Sequence, residues 1–243
     1  MKIGIIGAGE MGRCLASRLV TCGHTVSIAN SRGPASLKQV VENIGAEPVS
    51  IEDATKNKDV IIVSIPQKSI ADLPKKLFED IPGDTVVIDT GNYYPGLRDG
   101  AIPALEQIGI DSLWVQMHLG VAVVKVFNSI LATSIKDFGR PQGDRNRIAI
   151  AISGDSIKSK KIVFTLVEEL GFDPYDVGDI AQSWKQQPGS PIYCRDIHLE
   201  ELKKRVESMA DRPGMRDEIL EKRKADELLM KADYPAYLKG LQD

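Results

Sequence analysis

The chain has 243 residues, 42% of them hydrophobic, with a formal net charge of −3. That length suits one large α/β domain or a domain with a smaller appendage, and the near-balanced charge gives no footing for nucleic acid or an anionic membrane. No apolar run approaches the roughly 20 residues that cross a bilayer. The three cysteines, Cys14, Cys22 and Cys194, form no CxxC pair, and an odd number makes a poor disulfide framework. The N-terminus lacks the long apolar region and cleavage site of a signal peptide, so the expectation is a soluble, cytoplasmic protein.

"KIGIIG" opens the chain as an apolar run ending in glycine, the form of a buried parallel strand. Met11, Leu15, Leu19 and Val20 then recur at helical spacing, with Gly23 as the stop. "HTVSIAN" reads as a second strand, "ASLKQVVENIG" as a helix, and "AEPVS" as a short third strand. "SIEDATKN" predicts a short helix, and "DVIIVSIP" a fourth strand closed by Pro66. "SIADLPKKLFEDI" predicts a helix interrupted by Pro74, and "DTVVIDTGN" a fifth strand. "YYPGLRDG" has loop chemistry, and "AIPALEQIG" reads as a helix.

"GVAVVKVFNSI" predicts a sixth strand and "RNRIAIAISGD" a seventh, joined through a polar surface loop, "KDFGRPQGDRN". "SIKSKKIVFTLVEELG" is an amphipathic helix, and "FDPYDVGD" adds an edge strand. Residues 195–243, dense in charges of both signs, predict exposed helices with one apolar stripe: a solvated tail on the sheet, or a dimerisation arm. The alternation of strand and helix predicts an α/β fold, a Rossmann-type doubly wound, mainly parallel sheet with a C-terminal helical tail. The expected division is a dinucleotide-binding domain over 1–180, then a substrate-side loop and helical tail over 181–243.

"GIIGAGEMG" contains Gly7-x-Gly9-x-x-Gly12 between a strand and a helix. In that context Gly7 permits the tight turn, Gly9 admits a pyrophosphate, and Gly12 lets helix and strand pack closely. The backbone of Ala8, Glu10 and Met11 completes the loop, where helix-terminal amides favour negative charge. The cofactor choice falls at Asn30, Ser31 and Arg32, after the second strand. A carboxylate there would hold the ribose 2′-hydroxyl of NAD and repel a 2′-phosphate. A guanidinium and a hydroxyl do the reverse, and Ser36 and Lys38 begin the next helix with further donors, so the expected cofactor is NADP(H).

From these residues a family resemblance follows. "KIGIIGAGEMGRCLASRLVTCGHTVSIANSRGPASL", and "VVKVFNSI" further on, resemble the NADPH-dependent oxidoreductases that act on a deazaflavin, coenzyme F-420. The resemblance covers roughly residues 1–180 and is densest in the first 40; the membrane ferric reductases carry a related domain. It implies that Gly7, Gly9 and Gly12 hold the pyrophosphate and that Ser31 and Arg32 bind the 2′-phosphate. It sets Ser64, Ile65 and Pro66 against the nicotinamide-side ribose, at the carboxyl end of the fourth strand. Asn92 and Asn128, ending the fifth and sixth strands, are candidates to meet nicotinamide or substrate, with turn or cap roles as the alternative. The segment "QSWKQQPGSPIYCRDI" adds Trp184 and Tyr193 as candidate contacts to a flat ligand; it differs from the deazaflavin enzymes and leaves the acceptor open.

Acid–base machinery is sparse. There is no Tyr-x-x-x-Lys dyad, nucleophile elbow or Walker lysine. His24, His118 and His198 read as structural or exposed, and no spacing of His, Cys, Asp and Glu suggests a metal. The expected protein is an NADP-dependent oxidoreductase, a homodimer, passing hydride to a small-molecule acceptor of flavin, deazaflavin or quinone type. The rivals are a reductase of imine or ferric substrates and an NADP(H) sensor without turnover. Hydride transfer to a flavin-like ring needs the two rings stacked at about 3–3.5 Å and little else from the protein.

Overall fold

The computed structural model describes residues 1–209 and 213–241, so residues 210–212 and 242–243 of the expected tail lie outside the described residues. Among the described residues eight strands form one sheet: β1 (Lys2–Ile6), β2 (Thr25–Ala29), β3 (Glu47–Pro48), β4 (Val60–Val63), β5 (Val86–Asp89), β6 (Val123–Lys125), β7 (Ala149–Ser153) and β8 (Asp173–Gly178). Their order is β3-β2-β1-β4-β5-β6-β7-β8. Every pairing is parallel except β6 with β7, which meet antiparallel at Lys125 and Ser153. The order reverses between β1 and β4, the position at which open α/β sheets bind ligands beyond their carboxyl ends.

Side-chain alternation assigns the two faces. Ile3, Ile5, Val60, Ile62, Val86 and Ile88 point to one side and pack with α1 (Glu10–Thr21) and α6 (Ile157–Glu169) through Leu15, Leu19, Val163 and Leu166. Ile6, Ile61, Val63 and Val87 point to the other, against Trp114 and Val115 of α4 (Asp111–Leu119) and Leu105 of α3 (Pro103–Ile108). A third cluster, with Ala149, Trp184, Ile192, Leu202 and Ile219, joins β7 to α7 (Leu199–Ser208) and α8 (Met215–Ala232). The last helix, α9 (Tyr234–Gly240), follows α8 directly.

Several expected elements differ. The predicted helix over 50–57 is a run of turns, and the Ala54 carbonyl presses so close to β1 that a Cβ on Gly4 would lie 1.7 Å from its oxygen. The predicted helix over 69–81 reduces to a 3-10 turn, Gln67–Ser69, followed by turns; Pro74 can neither donate a helical hydrogen bond nor clear the carbonyl four residues back. The helix over 35–45 is a 3-10 turn, Pro34–Leu37, running into a short helix, α2 (Lys38–Val41). The sixth strand stops at Lys125 because Phe127 takes a left-handed backbone, φ 61°, and turns the chain into the site. The loop expected at 93–100 contains a π turn, Pro95–Asp99. Neither α4 nor the helix α5 (Ala132–Asp137) follows from the sequence pattern, and His118 belongs to the last turn of α4.

Candidate functional site

Two chambers lie side by side above the carboxyl ends of β1, β2, β4 and β5. The first, ≈ 410 Å³, is lined by Gly7, Ala8 and Gly9, by Asn30, Ser31 and Arg32, and across from them by Ile51, Ser69, Asp72 and Leu73. The second, ≈ 340 Å³, is lined by Gly9, Glu10 and Met11, by Asn92, Tyr94, Phe127, Asn128 and Tyr193, and by Met230, Tyr234 and Tyr237 of the tail. Gly9 and Ser64–Pro66 border both, so the chambers form one trough crossing the glycine loop.

The loop's geometry follows from its glycines. Gly7 has φ +117°, and a Cβ there would lie 2.1 Å from the Ser64 carbonyl oxygen. A Cβ on Gly12 would lie 2.0 Å from the Gly7 oxygen. Gly9 is different: a Cβ there would meet nothing within 4 Å. Gly9 is also the N-cap of α1 and gives it no side-chain cap, so the first-turn amides are left to an outside acceptor. This cradle fits a pyrophosphate.

The corner after β2 is braced by Asn30, whose Oδ1 accepts the Arg32 backbone N–H at 3.0 Å. Asn30 Nδ2 donates to Ser36 Oγ at 3.0 Å, and Ser36 Oγ donates to the Gly33 carbonyl at 2.7 Å. Ser36 therefore braces the turn, and it is not among the residues lining either chamber. The Arg32 side chain is exposed, with no ion pair to a described residue. Among the described residues the first chamber has one carboxylate, Asp72, on the wall contributed by the segment after β4.

Beyond the loop, amides are bound to one another. Asn128 Nδ2 donates to Asn92 Oδ1 at 3.1 Å and to the Gln186 carbonyl at 2.6 Å, while Asn92 Nδ2 donates to the Asn128 carbonyl at 2.9 Å. Gln186, fully buried, donates to Asn128 Oδ1 at 2.9 Å and accepts from Ser153 Oγ at 2.8 Å. The two asparagines thus line the second chamber and also lock β5, β6 and the 3-10 segment Ile180–Gln186 together. Trp184 of that segment does not reach either chamber. It is 2% exposed, in the third apolar cluster, with the Arg216 guanidinium 5.1 Å from its ring centroid.

Tyr193 does line the second chamber, hydrogen-bonded hydroxyl to hydroxyl with Tyr94. The histidines lie elsewhere: His24 meets Glu169 at 2.9 Å, His118 stacks on Trp114, and His198 meets the Arg147 carbonyl at 3.0 Å. Sequence reasoning missed Tyr94, Phe127, Met230, Tyr234 and Tyr237. The tyrosine pair in "NYYPG" was the visible signal for Tyr94; for the tail residues nothing in the local pattern points to a site.

Below the second chamber runs a buried ionic layer. Lys125, 0% exposed, meets Asp89 at 3.0 Å and also donates to the Gly91 carbonyl. Asp89 accepts from Ser112 Oγ and from the Gly91 N–H, each at 2.7 Å. Next to it, Asp111 takes the Tyr93 N–H at 3.2 Å and lies 4.0 Å from Arg223 of α8. Burial pushes the Asp111 carboxyl up to about 6, against the opposing pull of Lys125 and Arg223; Asp89 adds to the upward shift. A carboxyl raised in the folded state stabilises most below its unfolded value near 4 and loses that contribution as pH rises through about 6. Asp111→Asn is therefore expected to flatten the fall in stability between about pH 4 and 6, measured by urea unfolding across that range; an unchanged slope would contradict it.

A family profile described as NADP oxidoreductase, coenzyme F420-dependent, matches residues 2–93. The structure of a hypothetical protein from Sinorhizobium meliloti is similar at 31% identity and TM-score 0.67, covering 82% of this chain and 96% of that one. Over residues 2–93, from β1 through β5, the chain is similar to the F420-dependent NADP oxidoreductase family. The profile's own description is of an NADP-dependent oxidoreductase, and the sheet has the Rossmann-type order that the sequence predicts. A candidate F420-dependent NADP-reductase from Arthrobacter sp. FB24 is similar at 25% identity and TM-score 0.61, over 75% of this chain and 87% of that one. Metalloreductase STEAP3 of Rattus norvegicus is 28% identical over 182 residues, which is 75% of this chain and 35% of that protein. The chain spans about a third to two fifths of the length of the curated relatives it matches. No helix among the described residues is long and apolar enough to cross a membrane.

Proposed function

We propose that this protein is an NADPH-dependent oxidoreductase passing hydride to a planar acceptor of quinone, flavin or deazaflavin type. The carrying observation is the trough: a phosphate-accepting loop with a cationic corner at one end and a tyrosine-lined chamber at the other. Gly9 and the uncapped turn of α1 would hold the pyrophosphate, Ser31 and Arg32 the 2′-phosphate, and Ser64–Pro66 the far ribose. Bound NADPH would supply a hydride at the nicotinamide ring. The second chamber orients the acceptor through its aromatic walls and excludes water with the tail helices. Asn92 keeps one N–H for the ring it faces, while Asn128, with both N–H groups given to Asn92 and Gln186, holds Asn92 in place.

Functionally, residues 1–180 are the cofactor part and 181–243 the acceptor-side part, and the exposed faces of the tail join two copies into a homodimer in the cytoplasm. The test is NADPH binding by fluorescence titration, then NADPH oxidation with menadione, riboflavin and a deazaflavin. Tight NADPH binding and turnover on at least one acceptor are expected. Tight binding without turnover on any of them would favour the NADP(H) sensor, and turnover confined to imines or ferric chelates would move the acceptor class.

A further inference from the structure

Four tyrosines line the second chamber, and two of them, Tyr94 and Tyr193, meet at their hydroxyls. They arrive from distant parts of the chain: Tyr94 follows β5, and Tyr193 lies after the 3-10 segment that ends at Gln186. Apart from the neighbouring Cys194 thiol, a weak partner, no other described residue hydrogen-bonds either hydroxyl. In such a pair one O–H donates to the other oxygen, and the second hydrogen is left over. Burial pushes both phenols well above their ordinary value, so both stay protonated at neutral pH and the spare hydrogen persists.

The pair is held in place from both sides. The Tyr94 N–H donates to Asp99 at 2.8 Å, and the Arg98 guanidinium lies 5.4 Å from the Tyr94 ring centroid. Tyr193 is followed by Cys194, whose backbone is left-handed at φ 51° and whose N–H donates to the Ser129 carbonyl at 2.9 Å. Phe127, on the same chamber, is left-handed at φ 61°. Non-glycine residues in that region cost on the order of 1–3 kcal/mol and persist only where the surroundings over-determine them, a pattern that gathers at binding sites. Two of the three such residues described in this chain border this one chamber.

The chamber's chemistry narrows the ligand. Five aromatic rings, four tyrosines and Phe127, stand among mostly uncharged lining residues, and the charged groups are Glu10 and Arg98, the latter already paired with Asp99 at 2.9 Å. That combination suits a neutral flat ring more than an anion. We propose that the Tyr94–Tyr193 hydroxyl pair is the hydrogen-bond anchor of the acceptor, and that it selects planar rings bearing a carbonyl oxygen over rings without one. The inference rests on the oxidoreductase reading and names the acceptor's recognition group.

The experiment uses the full chain with saturating NADP⁺ and two rings of the same shape, menadione and 2-methylnaphthalene, which lacks the carbonyls. Binding is followed by quenching of protein fluorescence. Tyr94→Phe and Tyr193→Phe are each expected to weaken menadione about tenfold or more and to leave 2-methylnaphthalene within about twofold. NADP⁺ affinity and Tm are expected to stay near the wild-type values, which a general loss of packing would not allow. Equal weakening of both rings, unchanged menadione binding in both variants, or wild-type protein that binds NADP⁺ but no menadione would overturn the proposal. Failure of the wild-type protein to bind NADP(H) would instead bring down the cofactor reading beneath it.

Discussion

Arg32→Ala is expected to raise the Kd for NADPH by roughly 10- to 100-fold while leaving NADH within about threefold. The figure follows from the loss of a charge-assisted contact, about 1.5–3 kcal/mol. The Arg32 guanidinium has no ion pair with a described residue, so its removal breaks no structural bond. What holds the corner in shape is Asn30, through the Arg32 backbone N–H, and that contact survives the substitution. Arg32→Lys separates charge from geometry: a point charge restores part of the affinity, and the forked bidentate contact is lost. Titration of both cofactors against the three proteins checks the expectation, with salt as a further handle because an exposed contact is screened. Parallel losses for NADPH and NADH would mean that Arg32 supports the loop and does not read the phosphate.

Lys125→Met is expected to cost about 3–5 kcal/mol of folding stability, and so to lower Tm by roughly 10 °C or more. Lys125 is fully buried between β5 and the floor of the second chamber, with Asp89 1% exposed as its partner. Methionine keeps the stem and removes the charge, which leaves the Asp89 carboxylate with Ser112 and the Gly91 amide as donors but without a cation. The cost comes from the stranded charge, so Lys125→Met combined with Asp89→Leu should recover part of the loss. Urea unfolding of the two single variants and the double variant measures the coupling. A single-variant loss below about 1 kcal/mol would show that the pair is relieved by another route.

The sheet was legible because each of its central strands is a continuous apolar run next to a glycine or a proline. "KIGIIG", "DVIIVSIP" and "DTVVIDTGN" could hardly be anything else, and they fix the ends from which the site grows. What the pattern concealed has physical reasons. Asp111, Ser112, Trp114 and Val115 of α4 are all buried, so that helix shows no polar face from which a stripe could be read. The turns over 69–81 carry helix-forming residues overruled by Pro74. The cofactor half of the trough was readable because it is made of one contiguous loop and one turn. The acceptor half was readable only in Asn92, Asn128 and Tyr193, since Phe127, Tyr234 and Tyr237 join them only through a left-handed bend and a tail that returns over the sheet. Trp184 was the reverse case: an aromatic in a segment rich in amides, which the fold spends on packing.

The buried residues of α8 recur every four positions, as Met215, Ile219, Arg223 and Glu227. The first two are greasy and the last two are ions, with Arg223 over the Tyr93 ring at 5.1 Å and Glu227 so near the π turn that a Cβ on Gly96 would lie 2.6 Å from its carboxylate. A seam of leucines alone could slip by one helical turn at little cost. Here a slip would drive the Arg223 guanidinium into the apolar cluster that Ile219 fills and take it away from Asp111. The helix is therefore keyed, like a toothed shaft with a single seating, and whatever it carries at its far end is indexed to that seating. Met230, Tyr234 and Tyr237 ride on that end, so the mouth of the chamber inherits its shape from a charge pattern that never touches the ligand.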